Sequence, residues 1–367
     1  MIFKKNKHLT RLVALIILAS CSTTFKNLNL NSAESLQEDS PKDFLEIYDY
    51  QSYFYNDLEI IQATIDNEML DQKALNDAKI LKKNYQKILT KKNYFLELKP
   101  NHEYSKDLIE LVYRLNLPVN ILWDENNQII LPKNLLSQKI NGFCSSIYDD
   151  AIASINQEIN KNSDSALIIY SEEYKSFAES LKPENKNLVR IKYTGTNFQE
   201  FSAEILGVKF SKKRFNKIAN LSPNQNLNFS PRPRSDFKQI IIILNPQEYK
   251  SMIPALRYHG GSDFIYLNFI SSIEEINTPL QLLDYEDSLT PASIYLTSKI
   301  KNDESVSLEN FLELGALHEW LLLQILKQAG VQSAKINGVT GSIVYQSNSC
   351  AKRDIPLQRI SSDLISS

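Results

Sequence analysis

Residues 239–269 read QIIIILNPQEYKSMIPALRYHGGSDFIYLNF, and their pattern decides the fold class. Ile240–Leu244 is apolar without alternation, as expected of a strand covered on both faces. Asn245-Pro246 supplies a helix cap and a first-turn proline. Met252, Ile253, Leu256 and Tyr258 make a buried face near helical spacing, and Gly260-Gly261 ends the element. Phe264–Phe269 is a second apolar strand. A strand-helix-strand unit of this kind implies a sheet with helices on its faces.

The same alternation runs outward. Strands are expected over Asn93–Leu98, Val119–Trp123, Ala166–Tyr170 and Leu188–Tyr193. Helices are expected over Tyr104–Leu115, Ile147–Ile159, Glu173–Leu181, Phe198–Leu206 and Lys212–Leu221. Beyond the central unit, Pro291–Ile300 carries a strand signal. Leu308–Ala329 is a strongly apolar helix stopped by Gly330, with Trp320 and Leu321–Leu323 in its buried middle. Lys335–Tyr345, with Asn337-Gly338 and Gly341, reads as a hairpin. Phe44–Thr90 is less regular: aromatic residues crowd at Tyr48, Tyr50 and Tyr53–Tyr55, and Leu58–Leu81 has helical spacing. The fold class is α/β with mostly parallel strands.

The N-terminus carries the most specific signal. Lys4, Lys5, Lys7 and Arg11 precede the short apolar run Leu12–Leu18, the layout of a secretory signal peptide over residues 1–20. Leu18-Ala19-Ser20-Cys21 resembles a bacterial lipobox, in which Cys21 is acylated and becomes the first mature residue. Ser22 after the cysteine resembles the sorting signal for the inner leaflet of a Gram-negative outer membrane. Acyl chains on Cys21 give firm anchoring without a spanning helix, and residues 21–42, polar and poor in apolar side chains, read as a tether. Without residues 1–20 the chain carries 37 basic and 43 acidic residues, a formal charge of −6. That balance points away from nucleic acid as a partner.

Cys144 and Cys350 remain. In an oxidising compartment they could pair across a very long loop, or stay as two small buried residues; both readings stand. Beyond the signal peptide there are three histidines, His102, His259 and His318. His318-Glu319 opens like a zinc-protease motif, but Leu322 stands where the second histidine belongs. No GxSxG, P-loop or dinucleotide fingerprint is present, no metal-ligand spacing occurs, and no cofactor is implied. His259, beside Gly260-Gly261, is the best lone catalytic candidate, though a hydrogen-bonded structural histidine fits it better. An envelope hydrolase would need a nucleophile-base pair that the sequence does not display. Arg232 and Arg234, in Pro231-Arg232-Pro233-Arg234, sit on an extended segment and could grip a carboxylate or an acidic partner edge.

Several runs together carry a resemblance. These are Phe229–Phe237, Ile240–Gln247, Ile253–His259, Leu314–Trp320 and Asn337–Gly341, with Ser165–Ser171 before them. They resemble the C-terminal domain of the LppC/LpoA lipoproteins over residues 143–358, more faintly over 90–142. The resemblance implies a two-lobed type I periplasmic-binding-protein-like fold. Lobe 1 would combine 43–142, its N-terminal part degenerate, with 271–333; lobe 2 would combine 143–270 with 334–358, leaving 359–367 as a tail. It also implies a non-catalytic outer-membrane lipoprotein, facing the periplasm, that binds a class A penicillin-binding protein and stimulates peptidoglycan synthesis. The sequence departs from the family in leaving no room for the N-terminal helical repeats of its longer members. Phe44–Thr90 also lacks the apolar strand and Gly-rich turn that open the family's first lobe. Arg232, Arg234, Arg257 and Tyr258 are the expected partner contacts, since Arg and Tyr are common interface anchors. The alternative is a lipid-anchored receptor for a small periplasmic solute.

Overall fold

A computed structural model of the chain describes residues 44–46, 54–66, 71–125, 131–161, 165–182, 187–195, 197–230, 232–274, 276, 278–293 and 308–361. The expected signal peptide, Cys21 and the tether lie outside the described residues, as do Tyr48, Tyr50 and Tyr53. Residues 42–367 form one compact unit. Its strands are β1 (Phe44–Glu46), β2 (Tyr94–Leu98), β3 (Val119–Trp123), β4 (Ala166–Tyr170), β5 (Leu188–Lys192), β6 (Gln239–Ile243), β7 (Ile265–Asn268), β8 (Leu289–Pro291), β9 (Ser333–Asn337), β10 (Ser342–Gln346), β11 (Lys352–Asp354) and β12 (Leu357–Arg359). Its α-helices are α1 (Phe54–Ile65), α2 (Gln72–Thr90), α3 (Ser105–Leu115), α4 (Ile147–Lys161), α5 (Lys175–Ser180), α6 (Phe198–Ile205), α7 (Val208–Leu221), α8 (Pro246–Tyr258) and α9 (Leu308–Gln328).

The main sheet has the order β12-β8-β7-β6-β4-β5, parallel throughout except for β12. Strand β6 lies at its centre, and Gln239–Leu244 are all fully buried, which explains the unbroken apolar run: helices cover both faces. Helix α8 starts where the sequence places it. Asn245 accepts from the Glu248 N–H at 3.0 Å and the Glu248 carboxylate accepts from the Asn245 N–H at 3.4 Å, a reciprocal cap with Pro246 in the first turn. Met252, Ile253 and Leu256 are buried as expected, but Tyr258 is 78% exposed. It falls about 200° around the helix from Leu256, away from the packed side. The expected helix over Glu173–Leu181 is divided into a 3-10 turn, Glu172–Tyr174, and α5. Of the expected strand Pro291–Ile300, β8 reaches Pro291, and residues 294–300 lie outside the described residues.

A second sheet, β1-β9-β10-β11, and a parallel pair, β2-β3, complete the frame. Sheet membership departs from the lobe division expected above. Strand β8, from within 271–333, joins the main sheet, whereas β9, β10 and β11 join β1 in the second sheet. Short 3-10 segments, Ile270–Ile273 and Pro279–Tyr285, link β7 to β8 and keep the two strands adjacent. After α9 the chain finds a free parallel edge on β1, pairing Lys335 with Phe44. Arg359 ends β12 rather than beginning a tail.

The link between the sheets is a buried charge cluster. Arg353 on β11 lies 3.0 Å from Asp150 on α4 and 3.6 Å from Glu319 on α9, with all three side chains at least nine-tenths buried. Its guanidinium stacks 4.3 Å from the Phe143 ring centroid. The Thr340 N–H donates to Glu319 at 2.8 Å, the Thr340 hydroxyl donates to its second oxygen, and the Ser145 hydroxyl donates to Asp150. Burial nonetheless pushes both carboxyls above their ordinary range, against the pull of Arg353. Gly338 lets the hairpin turn reach Glu319, because a Cβ at that position would collide with the Glu319 carboxylate. Beside the cluster, Cys144 and Cys350 are joined in a disulfide, and Cys144 N–H donates to Ala351 O at 2.9 Å. Helix α9 is enclosed through its middle, where Trp320, Leu321, Leu322 and Leu323 are all buried.

Two consequences are measurable. Arg353→Met leaves two carboxyls buried without their cation and is expected to cost about 3–5 kcal/mol in urea unfolding; a loss below about 1 kcal/mol contradicts a structural role for the cluster. His318, fully buried on α9, is held down at about 4 against an ordinary 6.5, first by burial and then by the Arg114 charge. The unfolded chain therefore binds a proton that the folded chain refuses between these values. This contribution to stability is complete above pH ~6.5 and is lost as pH falls toward 4, on the order of 3 kcal/mol in all. Between pH ~7 and ~4.5 the wild type should lose more stability than His318→Gln, whereas parallel losses contradict the assignment.

Candidate functional site

Among the described residues, two concave surface features bring polar groups together. The first lies at the carboxyl ends of the main-sheet strands. Chain order runs from β4 outward to β5, then back across β4 to β6, so the strand order reverses between β4 and β6. Ligand crevices of open α/β sheets form at such a reversal. Here a crevice of about 510 Å³ is lined by Ser171, Glu172, Glu173, Lys192–Gly195, Asn245 and Glu248. Some of its polar groups are engaged with one another, while the Ser171 and Tyr193 hydroxyls are buried without a hydrogen-bond partner among the described residues. Lys192 pairs with Glu172 at 2.5 Å and holds that carboxyl below its ordinary range. Asn245 and Glu248 bond reciprocally in the α8 cap, and burial raises the Glu248 carboxyl despite help from the Asn245 N–H. Tyr193 is packed between Phe198, at 4.8 Å, and Phe201, at 5.0 Å. None of the lining residues is a histidine or a cysteine, and no nucleophile-base pair is assembled there.

The second feature is a groove of about 780 Å³ between α7 and residues 228–230 and 232–234. Gly207 joins α6 to α7 with φ +75°, a conformation suited to glycine, and a Cβ there would meet Arg234 Cγ at 3.1 Å. Phe210, Arg214, Phe215 and Ile218 form the helical wall; Phe229, Arg232 and Arg234 form the other. Phe215 and Phe229 close the floor with ring centroids 5.2 Å apart.

The four expected contact residues divide into two kinds. Arg232 is exposed on the groove rim. Arg234 is anchored: its Nε donates to Asp236 at 2.9 Å, its guanidinium lies 5.3 Å from the Phe237 ring, and its backbone N–H donates to Leu206 O at 2.9 Å. Arg257 is turned into the fold, donating to Glu286 O and stacking 5.6 Å from the Tyr266 ring. Tyr258 stands in solvent beside His259. Pro233 packs against Gly260, where a Cβ would meet its Cδ at 3.3 Å, so the 232–234 segment abuts the end of α8 that carries Tyr258. The structure thus brings Arg232, Arg234 and Tyr258 into one neighbourhood and gives Arg257 a structural role.

The histidines and the acidic half-motif find other places. His102 lies 3.1 Å from Leu131 O through Nε2 and accepts the Tyr104 N–H at Nδ1. His259 closes α8 through its backbone N–H. Glu319 belongs to the Arg353 cluster, so the His318-Glu319 dipeptide is core. Among the described residues there is no cluster of ligand-type side chains able to hold a metal ion, and no helix long and apolar enough to cross a membrane.

The fold and these surfaces define an α/β protein with a doubly wound, mostly parallel sheet. No family model matches the chain, and no curated protein matches it. Among solved structures, an ABC transporter permease from the Pseudomonas fluorescens group aligns over 75% of this chain and 94% of its own, at 9% identity and a TM-score of 0.32.

Sequence reading does not single out Phe210, Arg214 or Ile218. A signal exists all the same: α7 carries Lys209, Lys212, Lys213, Arg214 and Lys217 and no acidic residue. The different roles of the paired arginines give a direct check. Arg234→Ala loses an ion pair and a ring contact and should cost about 1–2 kcal/mol. Arg232→Ala should stay within about 0.5 kcal/mol of wild type; equal losses in thermal unfolding contradict the distinction.

Proposed function

We propose that this protein is a non-catalytic, lipid-anchored partner of a class A penicillin-binding protein, held to the outer membrane through Cys21 and facing the periplasm, and that it stimulates peptidoglycan synthesis by binding. The observation that carries this reading is the exposed cationic and aromatic surface around Arg232 and Tyr258, within the stretch that resembles the LppC/LpoA lipoproteins. Arg and Tyr in such settings are frequent anchors of protein interfaces. Activation by binding requires only that the partner's active state holds the lipoprotein more tightly than its resting state does.

The test is the full chain in neutral detergent with the class A synthase of the same organism, following affinity together with glycan polymerisation and crosslinking. Binding with faster synthesis is expected, and Arg232→Ala with Tyr258→Ala should weaken it about tenfold, the loss of one or two anchors. Absence of binding at high micromolar concentration, or binding without any change in rate, overturns the activator role.

A further inference from the structure

Helix α7 presents a side that the rest of the described chain leaves uncovered. Val208 is its one buried residue. Phe210, Arg214, Ile218 and Leu221 follow one another at four- and three-residue steps and so share a stripe. The three apolar members are 60%, 50% and 83% exposed. An apolar stripe on a short amphipathic helix is normally packed against something. Lys213 leans over the Phe210 ring, 5.9 Å from its centroid.

The first three members of the stripe, Phe210, Arg214 and Ile218, are also one wall of a groove. Across from it, residues 232–234 are anchored by the Arg234 contacts with Asp236, Phe237 and Leu206. The groove therefore has a fixed apolar floor, Phe215 against Phe229, and a cationic rim. Arg214 and Arg232 carry no ion pair among the described residues, and the one acidic lining residue, Glu204, lies 3.7 Å from Lys209. This positive spot sits on a chain that is acidic as a whole, so it is a local feature rather than a reflection of composition.

We infer that the groove between α7 and residues 228–230 and 232–234 is the seat of a short acidic amphipathic segment of a partner protein. Its apolar side chains enter between Phe210, Ile218 and Phe229, and its carboxylates meet Arg214 and Arg232. Charge complementarity selects an acidic occupant, and bidentate guanidinium-carboxylate pairing suits these two arginines. Concavity selects a protein segment over a lipid surface, because a membrane is engaged by apolar side chains that project, whereas these line a recess. The inference rests on the docking role proposed above and adds to it the binding element and the chemistry of its ligand.

The test uses the full chain in dodecyl maltoside and a fluorescein-labelled peptide with Leu and Phe on one helical face and Glu on the other, read by fluorescence anisotropy. Saturable micromolar binding is expected. It should weaken at least about tenfold in Arg214→Glu/Arg232→Glu and in Ile218→Asp, and strongly with added salt. These side chains lie at the surface, so thermal unfolding should confirm intact folding in each variant. No binding, binding that is indifferent to the variants, or equal binding of the same peptide with Lys for Glu overturns the proposal. So does a blue shift of an environment-sensitive dye on Phe210→Cys in phosphatidylglycerol vesicles, which places the stripe in lipid. Synthase that binds the wild type and the charge-reversal variant equally refutes the groove and leaves the activator role intact; peptide binding without synthase binding does the reverse.

Discussion

One buried cation organises this molecule. The Arg353 guanidinium sits between the Asp150 and Glu319 carboxyls and over the Phe143 ring, out of reach of water. Taking these charges from water costs several kcal/mol each, and their mutual attraction offsets that cost when the remaining lone pairs are satisfied. Thr340 and Ser145 supply such bonds to the carboxylates and Gly338 supplies the space, while the Arg353 Nε and Nη2 groups have no hydrogen-bond partner among the described residues. The contributors come from α9, the β9–β10 turn and β11, which are neighbours in sequence, and from α4, where Asp150 lies 203 residues from Arg353. A misplaced element leaves a charge buried and unpaired, which costs about 3–5 kcal/mol.

The Cys144–Cys350 bond reinforces the same junction, spanning 206 residues beside the Phe143–Ala351 bridge. A crosslink across so long a loop removes much of the unfolded chain's freedom. Covalent bond and ion cluster thus hold one place, where the second sheet meets the helix that packs on the main sheet.

The docking surface depends on the main sheet by a different route. Residues 232–236 lead straight into β6, and Phe237, buried and stacked 5.2 Å from Phe264, roots them in the core. The Arg234 backbone bond to Leu206 then ties the segment to the turn from which α7 departs. Core packing therefore sets the width of the groove, while its exposed residues are free to serve recognition. Binding groups on a rigid scaffold lose little entropy when a partner arrives.

Much of the frame is legible from residues alone. Periodicity and caps place β3 and β4 to the residue and α8 and α9 to within one or two, because an unbroken Ile run or a capped apolar helix has few other uses. Tyr258 is misplaced by the same reading, since counting apolar residues does not show which side of a helix meets its neighbour. The sequence also leaves Cys144 and Cys350 open between two states and takes Arg257 for a contact, although its guanidinium is engaged by Glu286 and Tyr266. What the sequence determines by itself is local: strand and helix types, their caps, and the α/β class that follows from their alternation. Which edge β8 and β9 would join, which arginines stay open beside α7, and where a lone Arg353 finds two carboxylates were decided by tertiary structure. These depend on pairings between residues up to hundreds of positions apart, whose energy exists once the chain is folded and leaves no periodic trace along it.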